Sequence, residues 1–199
     1  MKKLVIKYKP GCAGEPIALI IERIRNGDPV PEYDDLNRYN NDTPRVDNLA
    51  YYRSTHSGIY EDFIKYDEPK LGVFLAHGLW FSTIANLYKK GFAYLYEIVD
   101  NTNSISKQLF ANKVAYESES PERFFRSYSD VVDKNFYSNK LVCEYESKAF
   151  EVEKISYQDI FETDDGYKLI EKMGDIEMNE EWIAWYRQYC KRNREIISE

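Results

Sequence analysis

Three short stretches place reactive or binding side chains close together: Tyr52-Arg53-Ser54-Thr55, Phe81-Ser82-Thr83 and Cys143-Glu144-Tyr145-Glu146-Ser147. Arginine offers a planar fork of donors suited to phosphate or carboxylate oxygens, which lysine does not copy. A Ser-Thr pair supplies hydroxyls that orient a neighbouring carboxylate or cap a helix. Glutamates two residues apart on a strand point to one face. Each stretch also has a plainer reading: Arg53 as a surface ion-pair partner, Ser82-Thr83 as the N-cap of the following helix, and Glu144 and Glu146 as the solvated side of a half-buried sheet.

Other chemistries find less support. His56 falls in a polar turn and His77 in an apolar strand, neither with a His or Cys at ligand spacing, so metal catalysis is not expected. A Cys143–His77 nucleophile pair is a further arrangement of the available residues. Cys12, Cys143 and Cys190 are odd in number and contain no C-x-x-C, which argues against a disulfide framework or zinc ribbon. The chain lacks G-x-G-x-x-G and G-x-x-x-x-G-K-[ST], excluding the standard dinucleotide fingerprint and triphosphate loop.

The elements that position these residues follow from apolar spacing. Residues 3–8 read as a strand ended by Pro10-Gly11, and Ile17, Ile20, Ile21 and Ile24 read as a helix ended by Asn26-Gly27. The Pro-, Asp- and Asn-rich residues 28–48 read as an extended surface connection. LAYYRS and KLGVFLAHGLWFST read as strands, IANLYKKG as a short helix and FAYLYEIV as the clearest strand. Residues 120–137 read as a helix, KLVCEYESKAFEVEKISYQDI as two strands joined near Ser147-Lys148, and the chain from Asn179 as an aromatic helix. Irregular alternation of strands and helices predicts an α+β fold.

Length and composition bound the rest. A chain of 199 residues buries a core without metal or disulfide help, and 18 Tyr, 10 Phe and 3 Trp exclude a disordered composition. The formal charge of −7 argues against a nonspecific grip on nucleic acid, and leaves either simple solubility or a basic partner. The opening MKKLVIKYKPG is interrupted by lysines and is no secretory apolar segment, and no stretch has the length of a membrane span. A cytoplasmic setting is expected, in the producing cell or in a host.

Taken together, Arg53, Phe81-Ser82-Thr83 and Glu144-Tyr145-Glu146 resemble the mono-ADP-ribosyltransferase family, in its arginine-serine-glutamate class of toxin and phage enzymes. The resemblance covers roughly residues 49–157. It implies split antiparallel β-sheets with peripheral helices, flanked by an N-terminal segment over 1–48 and an aromatic helical segment over 158–199. It implies NAD as substrate, no metal, and ADP-ribose transfer to a protein acceptor by a toxin, effector or phage-encoded host modifier. Glu146 would stabilise the oxocarbenium-like transition state, Ser82 would aim that carboxylate, and Glu144 would face the acceptor. Arg53 would hold the dinucleotide with Thr83 nearby, and Trp80, Phe81, Tyr60 and Tyr66 are the aromatic candidates for stacking. The contrasting expectation is a non-enzymatic acidic binding or inhibitor domain whose aromatic helix, Trp182 to Tyr189, docks a partner.

Overall fold

The computed structural model describes residues 1–8, 14–30, 52–54, 72–76, 78–79, 81–100 and 140–198. In chain order the described elements are β1 (Leu4–Tyr8), α1 (Gly14–Asn26), β2 (Tyr52–Ser54), β3 (Val73–Ala76), α2 (Phe81–Lys89) and β4 (Tyr94–Val99). These are followed by α3 (Lys140–Ala149), β5 (Glu151–Ser156), α4 (Tyr157–Phe161), α5 (Tyr167–Gly174) and α6 (Glu180–Ser198).

The strands form one five-stranded sheet in the order β2-β3-β1-β4-β5, and every neighbouring pair is parallel. This corrects the expectation of split antiparallel sheets in an α+β fold: the arrangement is α/β. The physical reason lies in the strands themselves. All five residues of β1 and all four of β3 are buried, as in a sheet covered by helices on both faces, where strands lose the polar alternation of a one-sided sheet. A second reason is local. Residues 140–149 form a helix, so β5 enters the sheet through a crossover and lies parallel to β4, where the sequence suggested a hairpin.

Alternate residues of each strand sort into two apolar layers. Leu4, Ile6 and Tyr8 of β1, with Leu75, Tyr96, Ile98 and Ile155, join the α1, α4, α5 and α6 side chains on one face. Val5, Phe74, Ala76 and Leu95 join Ile84 and Leu87 of α2 on the other, with Val142 and Ala149 of α3 packed against them. Residues drawn from 1–48, 49–157 and 158–199 therefore share one core cluster.

The aromatic stripe of α6 belongs to that core. Trp182, Trp185, Tyr186, Tyr189 and Cys190 are all buried, so the face expected to dock a partner covers this chain's own sheet layer. Asn179 caps the helix, its Oδ1 accepting from the Trp182 amide at 3.0 Å. Tyr186 donates its hydroxyl to the Ile160 carbonyl, joining α6 to α4. On α1, Arg25 donates to the Gly174 carbonyl at 2.6 Å and to the Lys2 carbonyl at 2.9 Å, so one guanidinium links α1, the end of α5 and the start of β1.

Candidate functional site

The sheet changes character one pleat before its carboxyl edge. On the α2–α3 face, Val5 of β1 sits beside Phe74 and Leu95, and Leu95 beside Val152, forming an apolar rung. Two residues on, the rung at the same face reads Ala76, Lys7, Glu97 and Lys154. Lys7 and Glu97 approach to 3.7 Å, and Lys154 and Glu97 to 3.4 Å.

Glu146 reaches down onto this rung from α3. Its two carboxylate oxygens accept from the Lys7 ammonium at 3.0 and 2.9 Å. Lys7 is 2% exposed and Glu146 3%, so both ions lie out of solvent. Such a pair persists only when geometry and hydrogen bonding offset the loss of hydration. Burial raises the Glu146 carboxyl above its ordinary value, Glu97 adds to that, and the attraction and hydrogen bonds of Lys7 pull the other way.

A second polar group closes the same edge. Asp100, buried just past β4, accepts from Gln158 Nε2 at 2.9 Å, while Gln158 Oε1 accepts from the Ser156 hydroxyl at 3.0 Å. Ser156 also caps α4, its Oγ accepting from the Asp159 amide at 3.2 Å.

The first connection of the chain opens at this edge. Residues 9–13, Lys-Pro-Gly-Cys-Ala, join the end of β1 to α1. At Gly14 a Cβ would overlap the Tyr8 ring, so the start of α1 is drawn against the end of β1 in a way only glycine permits. α1 packs on one face of the sheet, whereas α2 and α3 pack on the other. β1 therefore lies where the connections diverge, and in open parallel sheets that divergence leaves a crevice beyond the strands' carboxyl ends.

The residues singled out in the sequence are distributed unevenly around this edge. Glu146 is in it. Phe81 and Ser82 are exposed on the first turn of α2, Thr83 is buried, and Phe81 meets Tyr145 of α3 edge to face with centroids 5.4 Å apart. The aromatic-Ser-Thr and Glu-Tyr-Glu stretches thus share one helical layer. The expected strand for Glu144 and Glu146 is instead the helix α3, where residues two apart diverge by about 200°. Glu144 accordingly faces solvent, 4.0 Å from Lys140. The expected Ser82 hydrogen bond to Glu146 is absent among the described residues; Lys7 holds that carboxylate. Arg53 lies on the edge strand β2. Its side chain, together with Trp80, Tyr60, Tyr66, His56, His77 and Cys12, falls outside the described residues.

Lys7, Glu97 and Lys154 escaped a reading based on motifs. The signal available was a lysine at the penultimate position of an otherwise apolar LVIKY strand, directly ahead of Pro10-Gly11. Among the described residues, no group of three His, Cys, Asp or Glu side chains is placed to hold a metal ion, and no helix is long and apolar enough to cross a membrane. Compared with known proteins, the chain matches no family model, no curated protein and no solved structure.

Proposed function

We propose that this protein is a group transferase that takes a phosphate-bearing nucleotide as donor at the carboxyl end of β1. The observation carrying this reading is the position of β1: the central strand of an all-parallel sheet, with helices diverging to opposite faces and Gly14 closing α1 against Tyr8. Nucleotide phosphates in α/β proteins rest in such a crevice against the first loop and helix.

Residue types narrow the donor. A loop built for magnesium–nucleoside triphosphate follows its last glycine with Lys and Ser/Thr, which hold the phosphates and the metal. Here Glu15 and Pro16 follow Gly14. The Lys and Ser/Thr that hold a magnesium–triphosphate in such loops are missing here, and we infer a donor whose group moves without a divalent cation. A sulfuryl group fits: it carries one negative charge, and passes from a phosphate oxygen to an acceptor hydroxyl or amine as that acceptor loses a proton. NAD is the second reading. It is the donor implied by the resemblance, and dinucleotides occupy the same crevice in parallel sheets. Against it stands the engagement of Glu146, the carboxylate that the resemblance assigns to this transfer, with Lys7.

Thermal unfolding of the purified chain with adenosine 3′,5′-bisphosphate, NAD and ATP, each with and without magnesium, tests the proposal. A metal-independent rise in Tm with the bisphosphate is expected. A rise with NAD alone would favour the second reading, and a rise only with magnesium–ATP, or no rise with any nucleotide, would contradict the proposal.

A further inference from the structure

Two ionisable side chains one turn apart on α1 meet very different surroundings. Glu22 is almost wholly buried, and among the described residues neither of its carboxyl oxygens has a hydrogen-bond partner. Arg25 instead donates to the Gly174 carbonyl through Nε at 3.2 Å and Nη2 at 2.6 Å, and to the Lys2 carbonyl through Nη2 at 2.9 Å. The contact it spans is close, since a Cβ on Gly174 would stand 2.8 Å from Ile21 of α1. One guanidinium thus fastens the end of α1 to the end of α5 and the start of β1, at the amino edge of the sheet.

The other charged groups around α1 are engaged elsewhere. From β1, Lys2 donates to the Tyr96 hydroxyl, Lys3 to the Lys90 carbonyl and Lys7 to Glu146 on the opposite face, while β3 brings no charged side chain. From α5, Lys168 pairs with Asp165, Lys172 pairs with Glu153, Glu171 accepts from the Met178 amide, and Asp175 acts on Arg25. On α1 itself, Arg23 donates to the Pro29 carbonyl. Arg25 is the charged group that acts on Glu22.

While Glu22 holds its proton, it makes no claim on a cation, and Arg25 serves the two backbone carbonyls. Once the proton leaves for solvent, a carboxylate without a donor lies in an apolar layer, which is costly. The guanidinium one turn away supplies the donors, and a carboxylate binds it more strongly than neutral carbonyls do. We propose that Glu22 and Arg25 form a pH-sensitive latch, in which loss of the Glu22 proton turns Arg25 away from the Gly174 and Lys2 carbonyls and lets the end of α1 part from α5 and β1. Burial supports this by holding the closed carboxyl neutral up to about 8. The latch is independent of the nucleotide reading.

Native-state hydrogen exchange tests it, followed at the Arg25 Nε–H and at the Ile176 amide, which is bonded to the Glu171 carbonyl just past Gly174. After correction for intrinsic rates, protection at both is expected to fall about tenfold per pH unit up to pH 8 and then level off, because opening releases one proton. Dilute urea should leave this exchange unchanged, as local opening exposes little surface. Glu22→Gln should hold protection constant across the range. Arg25→Met should show, near pH 6, the fast Ile176 exchange that the wild type reaches only near pH 8. The same pH dependence in Glu22→Gln, wild-type Ile176 protection in Arg25→Met, or exchange that rises with urea as steeply as that of the α6 amides would each overturn the latch.

Discussion

At the scale of single residues, two buried carboxyl groups behave in opposite ways. Glu146 has Lys7; Glu22 on α1 is 2% exposed, and among the described residues neither of its carboxyl oxygens has a hydrogen-bond partner. Burial pushes the Glu22 carboxyl from 4.5 up to about 8, with Arg25 pulling the other way. The unfolded chain ionises this group near its ordinary value, so between pH 4.5 and 8 unfolding releases a proton and stability falls as pH rises through that window. Below the window the carboxyl is neutral in both states, and above it the penalty is constant. Glu22→Gln should therefore match the wild type near pH 5 and exceed it near pH 8 by a few kcal/mol, at about 1.4 kcal/mol per pH unit. Denaturant titrations at the two pH values check this, and parallel curves would show that the carboxyl is hydrated or paired in solution.

At the scale of elements, α3 shows where sequence reading succeeds and where it stops. The strand β1, the helix α1, the strand β4 and the helix α6 are legible because their apolar residues repeat at the right period and end at Gly, Pro or Asn. In α3 the inward stripe is Val142, Glu146 and Ala149, while Leu141 and Tyr145 face out. A charged residue occupies the buried centre of the helix and two large apolar residues are exposed, so the pattern imitates a strand. Only Lys7, distant in sequence, explains the exception. Removing one partner should accordingly be costly: Glu146→Ala is expected to lose about 3–5 kcal/mol, because Lys7 is left buried without its counter-ion. Chemical unfolding measures this, and a loss below 1 kcal/mol, the range of exposed pairs, would mean the pair is solvated. Tyr186→Phe, which removes the bond from α6 to the Ile160 carbonyl, is expected to cost about 1–2 kcal/mol by the same measurement. An unchanged midpoint would show that water replaces the hydroxyl.

At the scale of the whole molecule, the parallel sheet was hidden because strand direction is a property of pairing rather than of any local segment. The sequence suggests a hairpin between residues 140–149 and the following strand, but that stretch is the helix α3, and β5 pairs in parallel with β4 instead. For the same reason the site was only partly visible. Glu146 was found as a carboxylate worth watching, while its partner and the edge it guards arise from four strands separated by most of the chain. The core has a similar reach, since α6 buries Trp182, Trp185, Tyr186 and Tyr189 in the cluster that holds Leu4, Ile6 and Tyr8. Truncation after Asn179 should abolish cooperative thermal unfolding, and a sharp transition in the truncated chain would show that α6 is dispensable to the fold.

The placement of the donor at the carboxyl end of β1 is tested most directly by amide NMR shifts during titration with adenosine 3′,5′-bisphosphate in the absence of metal. Saturable shifts should be largest at Lys7, Tyr8 and Gly14 and weak along α6. Shifts confined to α6 or the far end of the sheet, or no saturable shift at all, would contradict the account.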